Sequence, residues 1–139
     1  MTLHYLLDTN ILAEPLRPKP NDLILNRLKR HEGEIAIASV VWHEMWFGCN
    51  RLPVSARRAA IEAYLNQVVA PGISILPYDR EAADWHARER ARLTAIGETP
   101  PFADGMIAAI ARTNNLELVT VNLDDFRAFE GLQCVNWQR

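Results

Sequence analysis

Three acids in this chain follow or open apolar segments in a way that would gather them at one edge of a folded sheet. Asp8 comes directly after the run Leu3-His4-Tyr5-Leu6-Leu7, Glu44 lies five residues past Ser39, and Asp104 opens the apolar stretch that runs through Met106 to Ala111. A fourth stretch, Thr120-Val121-Asn122-Leu123-Asp124-Asp125-Phe126, adds Asn122, Asp124 and Asp125. Carboxylates crowded at one edge repel one another, and a folded protein tolerates this when a hard divalent cation compensates them. Oxygen-only donors completed by water suit Mg²⁺ or Mn²⁺ better than Zn²⁺. Taken singly, Asp8 serves equally well as a turn residue and Asp104 as a helix cap. Glu44, set among Trp42, Met45, Trp46 and Phe47, is harder to explain as an idle surface charge.

The elements that must position these acids are legible as short apolar runs alternating with helical patterns. Strands are expected at Leu3–Leu7, Ile35–Ala38, Ile73–Leu76 and Leu116–Val121, with a weaker one at Gln133–Asn136. Between them, Asn21, Ser39 and Ser55 stand where helix N-caps belong, and the helix capped by Ser39 carries Glu44 and runs to about Asn50. The helix after Ser55 ends near Pro71-Gly72, and a long one runs from Asp79 to Gly97. The helix from Ala103 to about Asn114 is so apolar that it should be buried almost all round. Strands separated by helices of this length demand crossovers and a parallel sheet, so the fold class is α/β, a three-layer α/β/α sandwich in one domain over residues 1–139. Ligand sites in such sheets lie outside the carboxyl ends of the strands, where the strand order reverses. The polar residues just after strands thereby become the candidates.

Composition narrows the function classes. The chain has 139 residues, 49% hydrophobic and 23% charged, which excludes disordered, collagen-like and coiled-coil readings. Its formal net charge of −2 lacks the basic footprint of a duplex-DNA binder. Cys49 and Cys134 match no metal-ribbon spacing, and no apolar run reaches the ~18 residues of a membrane span, so a cytoplasmic protein with free thiols is expected. His4, His31, His43 and His86 show no ligand spacing and are expected to be structural or solvated.

The four acidic elements, in order, resemble a known family. Leu6-Leu7-Asp8-Thr9-Asn10-Ile11-Leu12, Ser39-Val40-Val41 leading to Glu44, Ala103-Asp104-Gly105-Met106-Ile107-Ala108-Ala109, and the Thr120–Phe126 stretch are similar to those of PIN-domain ribonucleases of the VapC toxin type. The run Asn10–Pro18 resembles the FitB-like branch of that group. The resemblance implies that Asp8, Glu44 and Asp104 are acidic metal ligands and that one of Asn122, Asp124 and Asp125 completes the site, Asn122 in direct or water-mediated contact with Asp125 as the nearby charge being the preferred reading. Thr9, Asn10 and Thr120 would hold the ligands by hydrogen bonds. It further implies Mg²⁺, replaceable by Mn²⁺, in hydrolysis of RNA phosphodiesters, a homodimer, and a cognate antitoxin of the VapB or FitA kind. The alternative is a non-catalytic partner subunit of a DNA-binding antitoxin complex.

Other acidic-pocket folds fit less well. A phosphate-receiver domain needs a lysine near a late strand, and no lysine follows Lys29. A haloacid-dehalogenase-like phosphatase needs a second Asp two residues after the first, where this chain has Asn10. The six glycines form no phosphate-cradling loop. Setting the four acids Asp8, Glu44, Asp104 and Asp125 apart from the 17 leaves 13 acidic against 15 basic residues, nearly all of the latter arginine. Arginine forks match phosphate oxygens. Arg57 and Arg58, or Arg88, Arg90 and Arg92, could position phosphates, and Trp42 with Trp46 could serve as core or as a subunit surface.

Overall fold

The computed structural model describes residues 2–139. Five parallel strands form one sheet: β1 (Tyr5–Leu7), β2 (Ile35–Ala38), β3 (Ser74–Leu76), β4 (Glu117–Val119) and β5 (Cys134–Val135), in the spatial order β3-β2-β1-β4-β5. Helices cover the sheet in the order α1 (Thr9–Leu12), α2 (Asp22–Arg30), α3 (Ser39–Asn50), α4 (Ala56–Tyr64), α5 (Ala70–Gly72), α6 (Arg80–Ala95), α7 (Phe102–Thr113) and α8 (Leu123–Phe126). The expected α/β architecture is therefore present.

Strand β2 spans Ile35–Ala38 as expected, while the other four are shorter than the apolar runs that mark them. The first begins at Tyr5, because His4 and Tyr5 both donate to the Glu34 carbonyl and only then does the ladder settle into register, Tyr5 with Ile35 and with Glu117. Leu6, Leu7, Ala36, Ile37, Leu118 and Val119 are wholly buried, as strands covered on both faces must be. Asn21 accepts from the Ile24 amide and Ser55 from the Arg58 amide, so both caps stand where expected. Ser39 does not cap: strand runs straight into helix, Ala38 takes the cap position, and Ser39 is the first helical residue.

Beyond Tyr64 the chain widens into a π-turn, Leu65–Val69, before α5. Pro71 has no N–H to donate to a regular ladder, and the wider turn carries the chain past it with Leu65 and Val69 still buried. Helix α7 has the expected buried character, with Gly105 and Ile107 to Ala111 all enclosed, and it packs against α6, α3 and β4.

The chain moves outward from β1 through β2 to β3 and then crosses to β4 on the other side of β1. The order thus reverses between β1 and β4, and the crevice at their carboxyl ends is where such sheets bind ligands. Truncating the centre of this sheet should be costly. Leu118→Ala is expected to lower unfolding stability by about 2–5 kcal/mol, read as a shift in the urea midpoint at unchanged m-value. A loss below about 1 kcal/mol would show that β4 is not the packed central strand described.

Candidate active site

Asp8 stands at the point of reversal. Its amide donates to the Val119 carbonyl at 2.9 Å, so the β1–β4 ladder itself fixes its backbone. Its carboxylate is 7% exposed and accepts three hydrogen bonds: Oδ1 from the Thr9 amide at 2.8 Å, Oδ2 from the Thr120 hydroxyl at 2.8 Å and from Asn10 Nδ2 at 3.2 Å. Asp8 is thus both the N-cap of α1 and the acid of the crevice. Thr120 is wholly buried at the end of β4, and its hydroxyl oxygen also accepts from the Asn122 amide at 3.0 Å. Asn10 Oδ1 in turn accepts from the Val121 amide at 3.3 Å. The ends of β1 and β4 are thereby tied across the crevice by the three polar residues expected to orient an acid there.

Asp104 is the third residue of α7 and is half-buried. A helix N-terminus favours an ionised carboxylate by ~0.3–1 kcal/mol, yet the Asp104 pKa is pushed up to about 6. Burial contributes most, followed by the charges of Asp8 and Asp125. The repulsion and desolvation outweigh the dipole, and they identify Asp8, Asp104 and Asp125 as one electrostatic cluster. Asp125 is exposed on α8, anchored by the buried Phe126 beside it. Its neighbour Asp124 pairs with Arg127 instead. Asn122 is exposed at the N-cap position of α8, on the same pocket wall as Asp125.

Glu44 is not among the carboxylates that act on Asp104. It is exposed on α3, along a groove it shares with Ala13, Arg17 and Arg57. Trp42 and Trp46 meet edge-on at 5.9 Å and are half-buried against the core. Of the arginines, Arg58 is committed to Glu62 and the Leu52 carbonyl, and Arg92 to Glu89. Arg57, Arg88 and Arg90 are exposed.

None of the ion pairs among the described residues involves Asp8, Asp104 or Asp125. Among the described residues no three His, Cys, Asp or Glu side chains close tightly enough to cage an ion unaided. An open oxygen cluster of this kind suits Mg²⁺, which keeps several waters and takes only one or two carboxylates directly.

One of the four histidines, expected to be structural or solvated, is buried beside this cluster. His86 on α6 is 3% exposed, hydrogen-bonded through Nδ1 to the Tyr78 hydroxyl at 2.8 Å, and packed on the backbone of Gly105. A glycine inside an otherwise apolar helix costs about 1 kcal/mol relative to alanine, and that cost was the available signal that something approaches closely.

Comparison with known proteins accords with this geometry. The model of the PIN domain family matches residues 5–132. The tRNA(fMet)-specific endonuclease VapC of Shigella flexneri is 32% identical over 136 residues, 97% of this chain and 98% of that protein. Toxin FitB of Neisseria gonorrhoeae is 31% identical over 126 residues, 88% and 91% of the two chains. In a solved structure of FitAB bound to an IR36 DNA fragment, one chain superposes with a TM-score of 0.88 at 28% identity, covering 97% of this chain and 96% of that one. The chain therefore belongs to the PIN domain family, among its VapC- and FitB-type nuclease toxins.

Proposed function

We propose that this protein is a divalent-metal-dependent endoribonuclease, the toxin of a toxin–antitoxin pair. The observation that carries the proposal is the cluster of Asp8, Asp104 and Asp125 at the β1/β4 crevice, where burial first, and then the charges of Asp8 and Asp125, push the Asp104 pKa up to about 6. Asp8 and Asp104 would hold Mg²⁺ or Mn²⁺ directly. Asn122 and Asp125 would complete its surroundings through water, and Glu44, a ligand by the family resemblance, would have to reach it from its own groove on α3. A divalent ion there supplies an acidified water and neutralises charge on the leaving oxygen.

The chain's own residues do the rest. Thr9, Asn10 and Thr120 fix both oxygens of Asp8, so its orientation is set before any ligand arrives. The half-buried setting of Asp104 strengthens its attraction for a cation. Exposed Arg57, Arg88 and Arg90 are available to RNA phosphates, and their small number suits a single-stranded or looped RNA held locally. The relatives' names support the substrate class, since one is a tRNA-specific endonuclease. The FitAB complex on DNA supports an antitoxin partner and, through it, operator binding. A second copy of the chain is the other expected associate.

RNA cleavage by the purified protein tests the reading. Wild type with Mg²⁺ or Mn²⁺ should cleave, chelator should stop it, and Asp8→Asn should reduce kcat by at least about 10²-fold. Equal cleavage by wild type and Asp8→Asn would assign the activity to a contaminant, and no cleavage of any RNA offered would favour a non-catalytic subunit.

A second prediction follows from the raised Asp104 pKa. Between its ordinary value of 3.8 and about 6, the folded state binds more protons than the unfolded one, so stability is lost as pH rises through that window. In chelator, this group should therefore lower the wild-type Tm at pH 7.5 relative to pH 4.5. Asp104→Asn should flatten that slope and raise Tm at pH 7.5, while Mg²⁺ should stabilise wild type more than the variant. Parallel melting curves for the two proteins at every pH would contradict the cluster.

A further inference from the structure

We infer that His86 is a positioning residue for Asp104: its imidazole takes the space that a Cβ at residue 105 would occupy and so sets the first turn of α7. A Cβ built on Gly105 would lie 2.1 Å from His86 Nε2, 2.7 Å from Cδ2 and 3.0 Å from Cε1. The ring also lies 4.7 Å from that of Phe102, the first residue of α7. His86 thus touches the residues at i and i+3 of the turn, on one helix face. Asp104 lies between them in sequence, on the neighbouring face.

The imidazole is itself held. The Tyr78 hydroxyl is 2.8 Å from Nδ1, with the two rings edge-on at 80°. Burial, reinforced by Arg90, pushes the His86 pKa down, so the ring is neutral at neutral pH and is a spacer with a fixed hydrogen bond rather than a charge. Tyr78 leaves the end of β3 and His86 sits on α6. The chain of contacts Tyr78–His86–Gly105 therefore references α7 to the same sheet edge that carries Asp8. A displacement of about 1 Å at a catalytic group can cost 10²-fold in rate, so the placement is functionally steep.

This inference rests on the nuclease reading, and its test separates the two. Mn²⁺ affinity by calorimetry, RNA-cleavage kinetics and thermal melts are measured on wild type, His86→Ala, His86→Asn, Gly105→Ala and the His86→Ala/Gly105→Ala double variant. His86→Ala should stay folded, weaken Mn²⁺ binding about 10-fold and lower kcat about 10- to 100-fold with KM changed less than about 3-fold. His86→Asn can keep the Tyr78 hydrogen bond but not the ring over Gly105, and should remain impaired. Gly105→Ala alone should be the least stable, and the double variant should recover part of that loss because the clashing ring is gone. If wild type binds Mn²⁺ and cleaves RNA while folded His86→Ala matches it in both, His86 is ordinary core packing and the inference fails alone. If wild type does neither, the nuclease reading fails and the inference with it. A double variant no more stable than Gly105→Ala would also overturn it.

Discussion

Everything at the candidate site depends on one buried carboxylate that the sheet will not release. Asp8 is placed by a ladder bond to Val119 and oriented by three donors, one of which, Thr120, belongs to the neighbouring strand across the reversal in strand order. Three hydrogen bonds to a carboxylate compensate much of its lost hydration. Asp8 is therefore held in a nearly closed position, and its carboxylate is among the groups that act on Asp104 from another element. The elevated Asp104 pKa reflects burial first and then the charges of Asp8 and Asp125, and it marks a place where the fold gives up stability.

The periphery divides into residues that build the frame and residues left free. Arg58 and Arg92 look like surface cations in the sequence, but each is tied to a glutamate and a backbone carbonyl. Arg90 lies over the ring of Phe102 at 5.2 Å, at the start of the helix that carries Asp104. The positive charge still available to a polyanion is thus less than the count of arginines suggests, and part of it borders the acidic crevice.

Much of this was legible in the sequence because strand ends, caps and apolar periodicity are local signals. The positions of Asp8 and Asp104, the caps at Asn21 and Ser55, and the buried character of α7 all follow from such signals. What escaped depends on contacts between distant segments. Four of the strands lose a residue or two at their ends because register, not hydrophobicity, decides where a ladder starts. That Asp124 pairs with Arg127 while Asp125 acts on Asp104 depends on contacts the sequence does not display. Glu44 is exposed because Val41, Met45 and Cys49 form the buried face of α3 and Glu44 lies off it. The His86–Gly105 packing joins residues 19 positions apart and was visible only as an unexplained glycine.

The account turns on a divalent ion shared by acids from β1 and α7. Anomalous diffraction from crystals soaked in Mn²⁺ tests this most directly. The expected result is a peak between the carboxylates of Asp8 and Asp104, within about 2.0–2.3 Å of a ligating oxygen, with Asp125 or Asn122 reached through water. A peak elsewhere on the molecule, or Asp8 and Asp104 carboxylates more than ~10 Å apart and so too distant even for a two-ion cluster, would contradict it.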